Sequence, residues 1–184
     1  MAATDFLPAL HSPYLATFAR MVVGVVFAVS ALGKTRNPPA FERAITNFHI
    51  VPAPLVKMAA YLLLCAEFMV FGLMLLGGRF LWVGFLFAVL LLLAFSAALL
   101  SVLVRGIKTS CNCFGPAEKP VTGSDLLRNV GFIGWAVVGW WVISSPDAQA
   151  SLKAIEQILL AFLATAFVIS WSKVGEIGEI VRGL

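Results

Sequence analysis

Long apolar runs separated by short polar breaks divide the chain into five stretches, 15–32, 55–76, 80–104, 126–143 and 152–171. A hydrocarbon core ~30 Å thick takes ~20 helical residues to cross, so each stretch is predicted as a transmembrane helix. The first and last lie near the lower length limit, so four spans with one tilted or interfacial helix is the alternative. Gly77-Gly78-Arg79 is a break so short that the second and third helices must be antiparallel neighbours, and Ser144-Ser145-Pro146-Asp147 predicts the same for the fourth and fifth. The expected fold class is all-α, a polytopic transmembrane helical bundle of four to five spans. Residues 1–14 form an N-terminal tail, 15–171 a single domain, and 172–184 a C-terminal tail.

The pattern changes between the first two spans. Asn37-Pro38-Pro39 can start a helix with Asn37 as its cap, after which Phe41, Ala44, Ile45 and Phe48 fall on one face. That is the signature of a short amphipathic helix lying at the bilayer interface, ended by Pro52 and Pro54; an ordinary connecting loop is the alternative. A cleavable signal peptide, with Arg20 ahead of apolar 22–29, is disfavoured because the apolar run begins upstream of Arg20.

Composition agrees with the pattern. Of 184 residues 61% are hydrophobic and 12% charged, with a mean hydropathy of +0.98, whereas soluble domains carry about 25% charged residues. The net charge of +4 is small and dispersed, which excludes a nucleic-acid surface. Its distribution carries information. With five spans, Lys34, Arg36, Arg43, Lys57, Arg105, Lys108, Lys119, Arg128, Lys173 and Arg182 fall on one side, leaving Arg20, Arg79 and Lys153 on the other. By the positive-inside rule this predicts a multi-pass cell-membrane protein with its N-terminus outside and its C-terminus in the cytoplasm.

A charge inside a span costs at least ~2.5 to 3.5 kcal/mol on insertion scales, so each needs a partner or a task. Arg20 lies five residues in from Leu15 and Glu67 nine residues in from Leu76. At 1.5 Å per residue the two depths are ~8 Å and ~13 Å, within reach of an arginine side chain. An Arg20–Glu67 ion pair between the first two spans is therefore expected. The alternative is an Arg20 that snorkels to the headgroups beside a protonated Glu67. Lys34 is expected to snorkel, His49 to be a solvated loop residue, and Cys65, in a run of leucines, to be a buried packing residue.

Chemistry is concentrated in Ser110-Cys111-Asn112-Cys113-Phe114-Gly115-Pro116, which holds two of the three cysteines. Thiol–disulfide exchange needs an accessible thiolate and a resolving thiol. Cys111 and Cys113 supply the pair, and Lys108 supplies positive charge that favours the thiolate. A disulfide between residues i and i+2 closes a small, strained ring that is easily reduced, which suits a redox carrier better than a staple. Two thiols merely packed in a tight turn by Phe114 and Pro116 is the competing reading. The spacing does not fit a structural zinc site, and no metal is predicted.

These residues resemble a family. The run from Arg20 through Gly24 to Phe27, then Gly33-Lys34, Phe41, Pro52-Ala53-Pro54, and Glu67 followed by Gly72 and Gly77, is similar to the DoxX-related MauE membrane proteins. Cys111-Asn112-Cys113-Phe114-Gly115 resembles the Cys-x-Cys-Phe-Gly signature of MauE itself, and the likeness covers about residues 15–145. It implies a small helical membrane protein that, with a thioredoxin-like partner, supports disulfide formation, Cys111 and Cys113 being the exchanging pair. That partner is expected outside the cytoplasmic membrane, whereas the charge pattern turns the cysteine loop inward. A lipoquinone is the candidate electron acceptor, without a sequence signal for its pocket. The competing functions are a non-catalytic accessory subunit bound to other membrane subunits, and a proton-coupled transporter using Glu67.

Overall fold

The computed structural model describes residues 13–107, 121–145 and 152–173. Six α-helices account for most of them: α1 (Pro13–Arg36), α2 (Pro38–Asn47), α3 (Val56–Leu76), α4 (Phe80–Val104), α5 (Gly123–Val142) and α6 (Ala154–Ser172). Among the described residues four stretches are long and apolar enough to cross a membrane, namely α1, α3 with the 3-10 turn that precedes it, α4 and α6. The fourth predicted span is present as α5, but Asp125, Arg128 and Asn129 in its first two turns dilute its apolar character. It nevertheless runs antiparallel to α4, with Asn129 bonded to the carbonyl of Leu92 and Gly139 set against Phe85.

Local sequence explains the helix ends. The Asn37 side-chain oxygen accepts the Ala40 N–H at 3.2 Å, so α2 starts where the proline pair and cap predict. At α5 the Asp125 carboxylate accepts the Thr122 N–H at 3.0 Å, and at α6 Glu156 accepts the Lys153 N–H at 2.9 Å. Between α3 and α4 the chain reverses through Gly77 and Gly78, both at positive φ (71° and 56°), a conformation glycine adopts without steric cost.

Helix α1 is the axis of the bundle. Half of its apolar stretch is buried, against 22% for α3, 22% for α4 and 11% for α6. Small residues make this possible: Ala16 and Ala19 are buried beside Val22, Val23 and Phe27, and the backbone at Gly24 comes close to Met74. Large apolar side chains such as Leu62, Leu75, Leu76, Ile158 and Phe162 point outward, as a lipid-facing surface requires.

The short helix predicted after the first span is present as α2, and Phe41 and Ile45 on its apolar face pack on Val56 and Ala60 at the start of α3. Two expectations are corrected. The fourth and fifth predicted spans are not close backbone neighbours: α6 packs chiefly along α1, and reaches α5 through aromatic side chains, with Trp171 Nε1 donating to the Arg128 carbonyl at 3.1 Å. Cys65 is exposed on the outer side of α3. A leucine-rich environment does not identify a core position when the solvent outside is itself apolar.

Candidate functional site

Antiparallel packing of α1 on α3 sets which charges meet. With Gly24 level with Met74, Arg20 falls beside the C-terminal end of α3, while Ser30 and Lys34 fall beside Glu67. The predicted Arg20–Glu67 pair does not form. Arg20 Nε donates to the Met74 carbonyl and Nη2 to the Leu75 carbonyl at 2.8 Å. The guanidinium thus caps the last turn of α3, where unpaired carbonyls and the negative end of the helix dipole favour a cation. It lies 3.0–3.2 Å from where a Cβ on Gly77 would be, so glycine is needed there for space as well as for its positive φ. Depth failed as a predictor because α1 begins at Pro13 and extends past the end of α3; its apolar start does not share a level with Leu76.

Glu67 pairs with Lys34 instead. Lys34 is 2% exposed and Glu67 0%, so this lysine does not snorkel. Ser30 Oγ accepts from Lys34 Nζ at 2.8 Å and donates to Glu67 Oε1 at 2.9 Å, closing a three-membered network on Oε1. The ammonium also lies over two aromatic faces, 5.2 Å from the Phe41 centroid and 4.7 Å from that of Phe95. Hydrogen bonding and cation–π contact together offset the cost of removing both charges from water.

Beside this network is a cavity of about 40 Å³. Among the described residues its lining is both apolar (Val26, Phe27, Leu92, Phe95) and polar (Ser30, Glu67, Asp125, Arg128, Asn129). Arg128 Nη2 bonds Asp125 Oδ1 at 3.1 Å, and the Asn129 amide donates to the Leu92 carbonyl and to Ser96 Oγ at 2.8 and 2.7 Å. The sequence signal for this side was the cluster Asp125, Arg128 and Asn129 in an otherwise apolar helix.

Cys111, Cys113, Phe114 and Gly115 lie outside the described residues. The two ends of their segment do not. Val121 is buried with Leu99 and Val102, and Ile107, whose N–H bonds the Val102 carbonyl at 3.1 Å, packs on the same cluster with Phe48. Ile107 and Val121 therefore meet at one place. The helix directions put that place at the end holding Arg36, Arg43, Lys57, Arg105 and Arg128, and Arg20, Arg79 and Lys153 at the other.

If Arg20 is a helix cap rather than a salt-bridge partner, Arg20→Met frees two carbonyls and leaves the Lys34–Glu67 pair intact. The expected loss is about 1.5–3 kcal/mol, the range for hydrogen bonds to a charged group. Thermal unfolding in lipid nanodiscs measures it. A loss that disappears in a Glu67→Gln background would restore the ion-pair reading.

Among known families, the one described as methylamine utilisation protein MauE matches residues 12–142. No curated protein and no solved structure matches the chain.

Proposed function

Because the chain belongs to the MauE family of integral membrane proteins, we propose that it exchanges disulfides with a thioredoxin-like dithiol partner through Cys111 and Cys113. The observation that carries this reading is the Cys111-Asn112-Cys113-Phe114-Gly115 element lying inside the matched span. Ile107 and Val121, the described residues that flank the element in sequence, pack in one small cluster.

The exchange is balanced without an outside electron. A thiolate of the partner attacks one sulfur of the Cys111–Cys113 disulfide, forming a mixed disulfide and releasing the other cysteine as thiolate. The partner's second thiolate then displaces the remaining cysteine. The partner leaves as a disulfide, the two cysteines as the reduced pair, and the partner's two protons pass to them. Re-oxidation of the pair falls to a membrane electron acceptor of the lipoquinone class. The excess of basic residues at the loop end favours a cytoplasmic placement of the loop and of the C-terminus.

The test is labelling by a membrane-impermeant maleimide in intact cells and inverted vesicles, with and without prior reduction, in a Cys65→Ala background. Label is expected only after reduction and only in inverted vesicles, and Cys111→Ser/Cys113→Ser is expected to remain inserted while losing disulfide-forming activity. Thiols that label at once whatever the pretreatment, with activity kept in the double variant, would leave a non-catalytic accessory subunit.

A further inference from the structure

Glu67 uses one oxygen and leaves the other unused. Lys34 and Ser30 both bond Oε1, whereas Oε2 is buried and has no hydrogen-bond partner among the described residues. A buried acceptor left unpaired is costly, and such an atom in a native fold points to a donor that the protein chain itself does not supply. The space for a donor is present, because Glu67 lines the cavity of about 40 Å³. A cavity needs about 10–15 Å³ per water and polar partners on its walls, so this one takes roughly three or four. Ser30, Asp125, Arg128 and Asn129 furnish those partners. Two of these polar residues also reach outward: the Asp125 and Arg128 side chains are 24% and 17% exposed, at the first turns of α5.

We propose that the cavity is a hydrated proton-exchange site, in which water donates to Glu67 Oε2 and links the buried Lys34–Glu67 pair to the aqueous phase at the loop end of the bundle. A proton arriving from the Asp125–Arg128 end is accepted at Oε2 and leaves by the same path; nothing is oxidised or reduced. Among the described residues the charged groups facing Glu67 are few. Helix α1 contributes Lys34 and α5 contributes Asp125 and Arg128, while α4 has no ionisable residue between Phe80 and Val104. Helix α2 turns its apolar face inward, with Arg43 exposed and Glu42 half-buried. This site is independent of the thiol reading and stands or falls apart from it.

Two measurements on the full chain in nanodiscs test it. Radical footprinting with bound water as the hydroxyl source compares Phe27, 2% exposed and on the cavity wall, with Phe85 and Phe132, 0% and 1% exposed and away from it. Several-fold greater oxidation of Phe27 is expected, falling to the Phe85 level in the cavity-filling variant Val26→Phe. Equal oxidation of Phe27 and Phe85 in the native chain means a dry cavity and overturns the proposal. Infrared difference spectra on acidification should show a carboxylic C=O band that shifts in D2O and is missing from Glu67→Gln. A native spectrum unchanged by Glu67→Gln also overturns it.

Discussion

Lys34→Met is expected to lower stability by about 3–5 kcal/mol, the usual cost of breaking a buried ion pair from one side, and Lys34→Met/Glu67→Met to recover most of that loss. The single substitution leaves Glu67, at 0% exposure, with the Ser30 hydroxyl as its remaining side-chain donor among the described residues. The double substitution removes the stranded charge and fills the space with apolar volume between Phe41 and Phe95. Thermal unfolding of the four proteins of this cycle in nanodiscs gives the coupling directly. A double variant no more stable than Lys34→Met would show that the cost lies in packing around the lysine stem, not in the unpaired carboxylate. Arg20→Met serves as the internal comparison, since its guanidinium is half-buried and bonds carbonyls only.

Gly139→Leu should be nearly as damaging for a different reason. A Cβ at position 139 would lie 2.4 Å from two ring carbons of Phe85 and 3.0 Å from the Ala19 Cβ, which puts α5 in backbone-close contact with both α4 and α1. Phe85 is fully buried and has nowhere to swing, so the helices must separate. Overpacking of this kind costs about 1–3 kcal/mol, and a whole leucine side chain at a three-helix junction belongs at the upper end. Gly134 sits on the same helix with open space around it. There Gly134→Ala should be neutral or should stabilise by up to about 1 kcal/mol through helix propensity. Unfolding of Gly139→Ala and Gly134→Ala side by side decides the matter: equal midpoints would mean that the close approach at Gly139 is not real.

Legibility from sequence divided along a physical line. Features set by neighbouring residues were readable: the Asn37 cap and its proline pair, the Gly77-Gly78 reversal, and the helices themselves, because each depends on apolar length and local hydrogen bonding. Features set by register between helices were not. Arg20 and Lys34 stand fourteen residues apart on α1, and which of them meets Glu67 depends on the level at which Gly24 meets Met74, a matter of packing that no single helix encodes. Cys65 and α6 fail for a related reason. In a bilayer the outer face of a helix is as apolar as its inner face, so hydropathy gives the span but not its neighbours. At the candidate site, the Glu67 carboxylate was identifiable as a charge needing a partner, whereas the Ser30 bridge and the aromatic sandwich around Lys34 required the packing.

The Arg20 cap has a bearing on how the protein is made. Its acceptors, Met74 and Leu75, lie 54 and 55 residues further along the chain. At roughly 5–20 residues per second of synthesis, Arg20 is in place for about 3–11 s before they exist. During that interval the first helix presents to the bilayer a guanidinium that only headgroups can solvate, and Lys34 likewise waits for Glu67, 33 residues later. The polar groups of the first helix are thus satisfied only when the third helix emerges, so the two helices are stable in the bilayer as a pair rather than singly.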